Sequence, residues 1–237
     1  MAPKDEQAAS LIPLYGVDPK GIRDWNEEIQ SLKGLPKDSF LQRLQRDRVV
    51  TKSYNEFLDA SIKGAVAVVN KNIQPLNPNE LERQQVFVYN YIFFSYAVDL
   101  MDSFRDLSGP ENNPSFSQAN QDMIGLKALQ TIDVDGLHIL ATAIIQYKGQ
   151  RVIAQSIIPG ILNNTDLGKL TEYGSVDEQK TFHCTEEFHK LMLKMCEMMR
   201  IKPTKIQDEA GTVIDYAGST EIKGIKGTDN RSYVVDL

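Results

Sequence analysis

The longest apolar run of the chain covers residues 132–162, and turn signals at Lys148-Gly149 and Pro159-Gly160 divide it. A two-residue X-Gly loop between two runs rich in β-branched residues is typical of a tight hairpin. Alternate residues of the first run, 137–147, place apolar side chains on one face, and the second face is also partly apolar. We therefore expect this hairpin at the centre of a sheet that is covered on both sides.

Helical periodicity dominates the region before this hairpin. Apolar residues recur at helical spacing from Phe40 to Val69, with Ser39 as the expected N-cap, so the pattern predicts one long helix or two in series. Residues 186–199 predict a second amphipathic helix. Residues 85–99 are aromatic and β-rich, which favours a strand over the alternative of a buried helix.

The remaining segments predict loops and short elements. We expect a disordered leader at residues 1–14, a loop at 106–121, a short helix at 123–130 and a polar, turn-rich stretch at 162–179. The end of the chain predicts short strands over residues 212–216, 221–225 and 232–237. Residues 15–237 are thus predicted to form one α+β domain, a mainly antiparallel sheet built on the central hairpin with helices packed on it.

Charge and composition narrow the range of functions. The 237 residues carry a net charge of −6. This charge argues against a protein whose whole surface binds nucleic acid. No apolar run is long enough to cross a bilayer, and the first residues lack a signal-peptide pattern, so no membrane insertion is expected. Two cysteines, Cys184 and Cys196, do not form a disulfide framework.

The densest basic cluster consists of Arg43, Arg46 and Arg48. A solvated helix face with local acidic partners such as Asp47 is the favoured interpretation. Contact with the phosphates of an RNA is the functional alternative, and these three arginines are candidate RNA-binding residues.

A second set of candidate RNA-binding residues lies in the segment from Lys223 to Arg231, and it includes Lys226. Gly224-Ile-Lys-Gly227 matches the bare G-x-x-G with which KH domains clamp an RNA backbone. The KH loop joins two helices, however, whereas this one is predicted to join two strands. A hairpin turn in which the glycines supply positive φ is therefore favoured.

Trp25, the only tryptophan, follows Asp24, which is a plausible helix N-cap. We favour a role for its ring in anchoring this segment to the main body. A surface aromatic that binds a peptide or a base is the functional alternative, and Trp25 is the candidate residue for such an interaction.

Motifs for catalysis and for cofactors are absent from the sequence. There is no G-x-S-x-G elbow, no phosphate-binding loop and no kinase signature. His183, Cys184, His189 and Cys196 fall within fourteen residues, but their spacing fits a zinc site poorly. His138 is expected to be a packed, hydrogen-bonded residue. We therefore predict no enzyme, no metal and no cofactor.

Several long and unusual strings resemble the Clu domain of the clustered-mitochondria protein family. The central one is DGLHILATAIIQYKGQRVIAQSIIPGIL, and the others are RDWNEEIQ, FVYNYIFFSYAVD, YGSVD and EIKGIKGTDNRSYVVDL. They occur in the family's order and extend over about nine-tenths of the chain. The family's proteins carry further regions, a ubiquitin-like one and tetratricopeptide repeats, so the chain resembles one domain of a longer protein or a short relative.

The resemblance implies a cytoplasmic, non-catalytic role. Members of the family bind mRNAs for mitochondrial proteins, associate with translation initiation factors and ribosomes, and support mitochondrial distribution and biogenesis. Our first hypothesis is that this domain contributes to RNA-dependent or ribosome-associated post-transcriptional control of mitochondrial biogenesis. The alternative is a protein-interaction or architectural domain that docks on the translation machinery, with RNA bound elsewhere in the full protein. The sequence leaves the oligomeric state open.

Overall fold

The computed structural model describes residues 23–98, 114–163, 170–175, 181–207, 209 and 211–236. The chain divides into two compact units. The first comprises residues 1–119 and 141–157, and the second comprises residues 120–140 and 158–237. The predicted leader at residues 1–14 lies outside the described residues, and its boundary stays a prediction. Within the described ranges, no helix combines the length and apolar character needed to cross a membrane.

The described elements are four helices and mainly antiparallel strands, which confirms the predicted α+β class. The helices are α1 (Trp25–Lys33), α2 (Phe40–Val69), α3 (Pro114–Ile132) and α4 (Glu186–Met199), with short 3-10 helices at Glu82–Gln84 and Ile161–Asn163. The strands are β1 (Val86–Tyr89), β2 (Ile92–Tyr96), β3 (Leu137–Ile139), β4 (Thr142–Tyr147), β5 (Gln150–Ser156), β6 (Thr171–Ser175), β7 (Phe182–Cys184), β8 (Thr204–Gln207), β9 (Val213–Tyr216), β10 (Lys223–Lys226) and β11 (Ser232–Val235).

The first unit contains an antiparallel sheet in the order β1-β2-β5-β4. Its two hairpins turn through residues with positive φ, Asn90-Tyr91 in one and Lys148-Gly149 in the other. Positive φ at both central residues is the mark of a type I′ turn, whose twist suits a hairpin. The hairpin predicted at Lys148-Gly149 is confirmed, and so is the strand character of the 85–99 region.

Two features of the predicted central hairpin are wrong. Its first strand, β4, is an edge strand of the sheet, and only its face bearing Ala143 and Ile145 is buried. The single strand expected over residues 137–147 is divided, because β3 pairs with β11 in the other sheet while β4 pairs with β5. The division falls at Ala141, whose N–H donates to Ser156 Oγ (3.1 Å).

Helix α2 is one continuous helix, as the first of the two alternatives predicted. Ser39 caps it: Ser39 Oγ accepts from the Gln42 N–H (3.2 Å), and Gln42 Oε1 accepts from the Ser39 N–H (2.9 Å). The second half packs on the sheet, where Gly64 lies against the Phe94 ring. Buried side chains of α1, α2, the sheet and the segments adjoining them form the core of this unit: Trp25, Ile29, Phe57, Ala65, Val68, Ile73, Phe87, Ile92, Phe94, Ala141, Ala143, Ile145, Val152 and Ala154.

The second unit contains a five-stranded sheet in the order β3-β11-β10-β6-β7, in which only the β3–β11 pair is parallel. Strands β8 and β9 pair separately. The predicted strands near the end of the chain are confirmed as β9, β10 and β11. The turn-rich segment predicted at 162–179 is wrong for residues 171–175, which form β6 between β10 and β7.

Helix α4 covers residues 186–199 as predicted and packs its apolar side on this sheet. Its buried residues are Phe188, Met192, Met195 and Cys196. The 123–130 helix is longer than predicted, since α3 begins at Pro114. The expected loop is therefore wrong for residues 114–121, where proline is tolerated because the first turn of a helix leaves its N–H groups unbonded. Residues 106–113 lie outside the described ranges.

Candidate interaction surface on helix α2

The middle of α2 is joined to α1 and to Arg23 just before it by charged contacts. The Arg23 guanidinium pairs with the carboxylates of Glu28 and Glu56, and Ser53 Oγ donates to Glu28 Oε1 (2.8 Å). The hydrogen bond from Arg23 holds the pKa of Glu28 below its ordinary value, and the same contact raises the pKa of Arg23. The two helices are thus fixed to each other near Ser53, where α2 begins to be buried.

Trp25 lies in the core of the first unit and is 3% exposed. Its Nε1–H donates to the Asn90 carbonyl (3.1 Å), its ring meets Phe57 edge-on at 5.8 Å, and the Arg23 guanidinium lies 4.2 Å above it. These contacts support an anchoring role for Trp25. They leave no open aromatic face for the peptide or base that the functional alternative requires.

The three arginines predicted as one RNA-binding cluster do not share a surface. Arg46 is 12% exposed in its side chain, and its Nε–H donates to the Lys33 carbonyl at the end of α1 (2.9 Å). Arg43 is exposed and donates to the carbonyl of Asp38 (3.1 Å). Arg48 is exposed too, but five residues at about 100° each place it about 140° from Arg43 around the helix. Arg46 therefore has a structural task, and the other two face different directions.

A stripe of large apolar side chains runs along the outer face of α2. We call Phe40, Leu44, Leu58 and Ile62 the outer stripe, and they are between 41% and 69% exposed. At about 100° per residue, all four lie within about 40° of one another around the helix axis. Leu44 and Leu58 lie about 21 Å apart along the axis, so the stripe consists of two apolar pairs on one face. Large apolar side chains exposed on a soluble protein are typical of an interaction site. Sequence periodicity identified apolar positions of a helix here but did not tell which face of the helix is exposed.

The second predicted basic set belongs to the second unit, and each of its members has a carboxylate partner. Lys223 Nζ lies 3.0 Å from Asp236, Lys226 Nζ lies 3.9 Å from Glu187, and Arg231 lies 3.1 Å from Asp229. Each of these cations is thus already balanced within the chain.

The G-x-x-G segment joins β10 and β11 in an antiparallel hairpin, which confirms the predicted turn between two strands. The glycines of the G-x-x-G do not supply positive φ, so that part of the prediction is wrong. Gly224 lies within β10, where an added Cβ would overlap the Phe188 ring and approach Tyr173 Cβ to 2.7 Å. Glycine is required there by close packing between strand and helix. The turn itself uses Asn230, whose φ is 62°.

The aromatic and titratable groups of the second unit make structural contacts. The Tyr173 ring stacks between Phe188 (5.6 Å) and Tyr216 (4.7 Å), and its hydroxyl accepts from the Ala217 N–H (2.8 Å) and donates to the Ala217 carbonyl (3.1 Å). Burial raises the pKa of both tyrosines. Such phenols stay neutral and act as packing groups.

The histidines and cysteines of the second unit each make a different contact and do not form one site. His183 Nδ1 lies 2.9 Å from the Thr171 carbonyl, whereas Cys196 is buried on the apolar side of α4. His138 Nδ1 lies 3.3 Å from the Ser232 carbonyl, which confirms the prediction of a packed residue. Among the described residues, no three side chains of the metal-binding types lie together.

One cavity of about 330 Å³ opens in the first unit between the end of α2 and the β1–β2 hairpin. Its apolar walls include Val68 and Phe87, and its charged residues, Lys71 and Glu82, pair with each other at 2.8 Å. The polar groups of the cavity thus satisfy each other and do not converge on a reacting atom.

Comparison with known proteins identifies the family. The family model for clustered mitochondria, CLU, matches residues 24–237. A clustered mitochondria protein homolog from Dictyostelium discoideum is 40% identical over 96% of this chain, and the homologs from Pyricularia oryzae and Aedes aegypti are 38% and 37% identical over 91% and 92% of it. The chain spans 19%, 16% and 15% of the lengths of these three relatives. No solved structure matches it. The chain belongs to the clustered-mitochondria family.

Proposed function

We propose that this chain is a non-catalytic, cytoplasmic domain that supports mitochondrial distribution by binding a partner protein through α2. Its relatives are named for clustered mitochondria, which supports the first part. The observation that carries the second part is the outer stripe, which leaves Phe40 69% and Ile62 43% exposed on a helix whose other face packs against the sheet.

The partner that fits this surface is an amphipathic helix. An apolar stripe about 33 Å long, from Phe40 to Ile62, is covered best by a second helix that runs alongside it. Exposed Arg43 and Arg48 border the stripe, so the partner helix is expected to carry carboxylates beside its own apolar face. Translation initiation factors and ribosomal proteins, implied by the family resemblance, are the first such partners to examine.

Charged substitutions on the outer stripe test this function in cells. Leu44→Asp and Leu58→Asp, introduced separately into the gene, are expected to cause clustering of mitochondria, visible by fluorescence microscopy. Leu81→Asp is the matched control, because Leu81 is 73% exposed and lies outside α2. Normal mitochondria in both stripe variants, with the protein folded and at its usual level, would exclude the proposal.

Direct binding of mRNA is a second candidate, and a charge imbalance supports it. Residues 40–51 carry three arginines against Asp47, a net charge of +2 in a chain of −6. Because phosphate contacts release counterions, binding to this segment would weaken steeply as salt rises.

Titration of a single-stranded RNA at several salt concentrations tests this candidate. Arg43→Glu with Arg48→Glu should weaken binding at least tenfold and flatten the salt dependence by about 1.4 in the logarithmic slope, since about 0.7 is expected per lost contact. Arg46 stays unchanged, because its bond to Lys33 supports the fold. The double variant Lys223→Glu with Lys226→Glu tests whether RNA binds the second predicted basic set, in the segment from Lys223 to Arg231. No binding at low salt by the folded chain would end the hypothesis.

A further inference from the structure

The outer stripe is symmetric along the helix. Leu44 and Leu58 lie seven residues on either side of Thr51, and Phe40 and Ile62 lie eleven residues on either side of it. Thr51 is exposed and points within about 20° of the same direction. A surface whose apolar residues are evenly spaced about one residue can meet a second copy of itself across a two-fold axis, with apolar side chains opposite apolar side chains.

We propose that the occupant of the outer stripe is α2 of a second copy of this chain, paired antiparallel with the two-fold axis at Thr51. This inference rests on the proposed function, because it names the partner helix of the same surface. In such a pair, Leu44 faces Leu58 of the other copy, and Phe40 faces Ile62. The four apolar side chains of each copy then cover one another at the two ends of a contact about 33 Å long, with Thr51 at its polar centre.

The charge pattern of α2 favours the antiparallel direction. Residues 40–50 carry a net charge of +2, whereas residues 52–62, which lie opposite them in a pair centred on Thr51, carry Lys52, Glu56 and Asp59 and a net charge of −1. Antiparallel pairing places the basic half of one copy beside the acidic half of the other. A parallel pair would place Arg48 opposite Arg48 and align the two helix dipoles unfavourably.

The polar residues near Thr51 are also complementary between the two copies of the pair. Arg48 lies three residues before Thr51 and Asn55 lies four residues after it, on the same flank of the helix. The two-fold axis therefore brings Arg48 of one copy beside Asn55 of the other, where the amide oxygen can accept from the guanidinium. The contact area of two such helices is roughly 700 Å² in total, below that of standard interfaces, so we expect a reversible dimer.

Sedimentation velocity on the 237-residue chain over a range of concentrations tests the pairing. The mass is expected to rise from the monomer value of 26.7 kDa towards twice that value as concentration increases. Leu44→Asp and Leu58→Asp should each weaken dimerisation at least tenfold, and the exposed control Leu81→Asp should leave it unchanged. A chain that is monomeric at every concentration, or a dimer unaffected by both stripe variants, would overturn the inference.

Disulfide trapping tests the direction of the helices. In a Cys184→Ser background, Thr51→Cys is expected to form a covalent dimer on oxidation, because the two Thr51 positions meet at the axis. Leu44→Cys alone should not, since two copies of position 44 lie about 21 Å apart in an antiparallel pair. Efficient trapping at position 44 and none at position 51 would overturn the antiparallel arrangement.

The two proposals can fail separately. If the chain is monomeric but the stripe variants still disturb mitochondria in cells, the second copy is not the partner, and a different protein binds α2. If the stripe variants break the dimer but mitochondria are distributed normally, the pairing of the two α2 helices is supported and the proposed function is excluded.

Discussion

The two halves of α2 differ sharply in their surroundings although both are helical and both carry large apolar residues. Phe57, in the second half, is 1% exposed, whereas Phe40, in the first, is 69% exposed. The second half approaches the sheet through small residues, among them Gly64 and Ala65. The first half has arginines between its apolar residues. Apolar character alone therefore does not decide burial. Small residues that let a helix approach its neighbour mark the packed half, and arginines among large apolar residues are typical of an interface.

The largest expected effect comes from removing one phenylalanine from each half. Phe57→Ala should lower the free energy of unfolding by about 3–5 kcal/mol, because it leaves a cavity against Trp25 and the sheet. Phe40→Ala should change it by less than about 0.5 kcal/mol, since the ring has few neighbours in the monomer. Urea unfolding at a concentration where the chain is monomeric measures both. Equal losses would show that the two halves are equally packed.

A smaller effect is expected from adding one methyl group to the packed half. Gly64→Ala gains about 1 kcal/mol in helix propensity, but its Cβ would overlap the Phe94 ring. Overpacking of this kind costs about 1–3 kcal/mol, so we expect a net loss of stability. Gln45→Ala, on the exposed half, should leave thermal stability nearly unchanged. If Gly64→Ala stabilises the protein, the Phe94 ring can move to accommodate the added methyl group at little energetic cost.

Much of the fold could be predicted because local signals agree with it. Ser39 and Gln42 form a capping box, Lys148-Gly149 forms a type I′ turn, and α4 has the bounds that its periodicity indicates. Each of these three features is determined by residues close to one another in the chain, so the sequence alone is enough to predict it.

Strand β6 was missed because its position depends on distant partners. Residues 171–175 place Glu172, Gly174 and Ser175 beside the strand-favouring Thr171 and Tyr173, so their local strand signal is weak. Strands β10 and β7 nevertheless flank them, and Tyr173 is buried. The division of residues 137–147 between two sheets has the same origin, since β3 pairs with β11 about ninety residues later. Pairing partners chosen across the chain override local preference.

The candidate surface was missed for a related reason. Periodicity identified Phe40, Leu44, Leu58 and Ile62 as apolar positions of a helix, but it does not tell which face meets the sheet. The arginines were predicted as one cluster by their closeness in sequence. Helix geometry separates Arg43 from Arg48 by about 140°, and the carbonyl of Lys33 engages Arg46.

A charged contact marks the boundary between the two halves, and pH should reveal it. The Arg23 guanidinium lowers the pKa of Glu28, so the folded state binds fewer protons than the unfolded state in the range below the ordinary value of 4.5. The stability from this carboxylate is therefore complete above pH 4.5 and is lost as the pH falls through the lowered pKa.

Glu28→Gln should accordingly cost about 1 kcal/mol at pH 7 and have little effect once Glu28 is protonated. Thermal unfolding at several pH values measures the change. Asp59→Asn is the control, since this exposed carboxylate should contribute little at any pH. A loss for Glu28→Gln that is the same at all pH values would assign it to packing and not to charge.

The smallest expected effect concerns the cap of the exposed half. Because the first turns of α2 have little core contact, the Ser39–Gln42 capping box should be their main local support. Ser39→Ala is expected to destabilise the helix start by about 1 kcal/mol, which corresponds to about fivefold faster amide hydrogen exchange over residues 42–46. Amides beyond Phe57 should keep their protection, since opening there requires the packed half to leave the sheet. Faster exchange along the whole helix would mean that α2 opens as one unit, and the difference between its halves would then lie only in side-chain exposure and not in local stability.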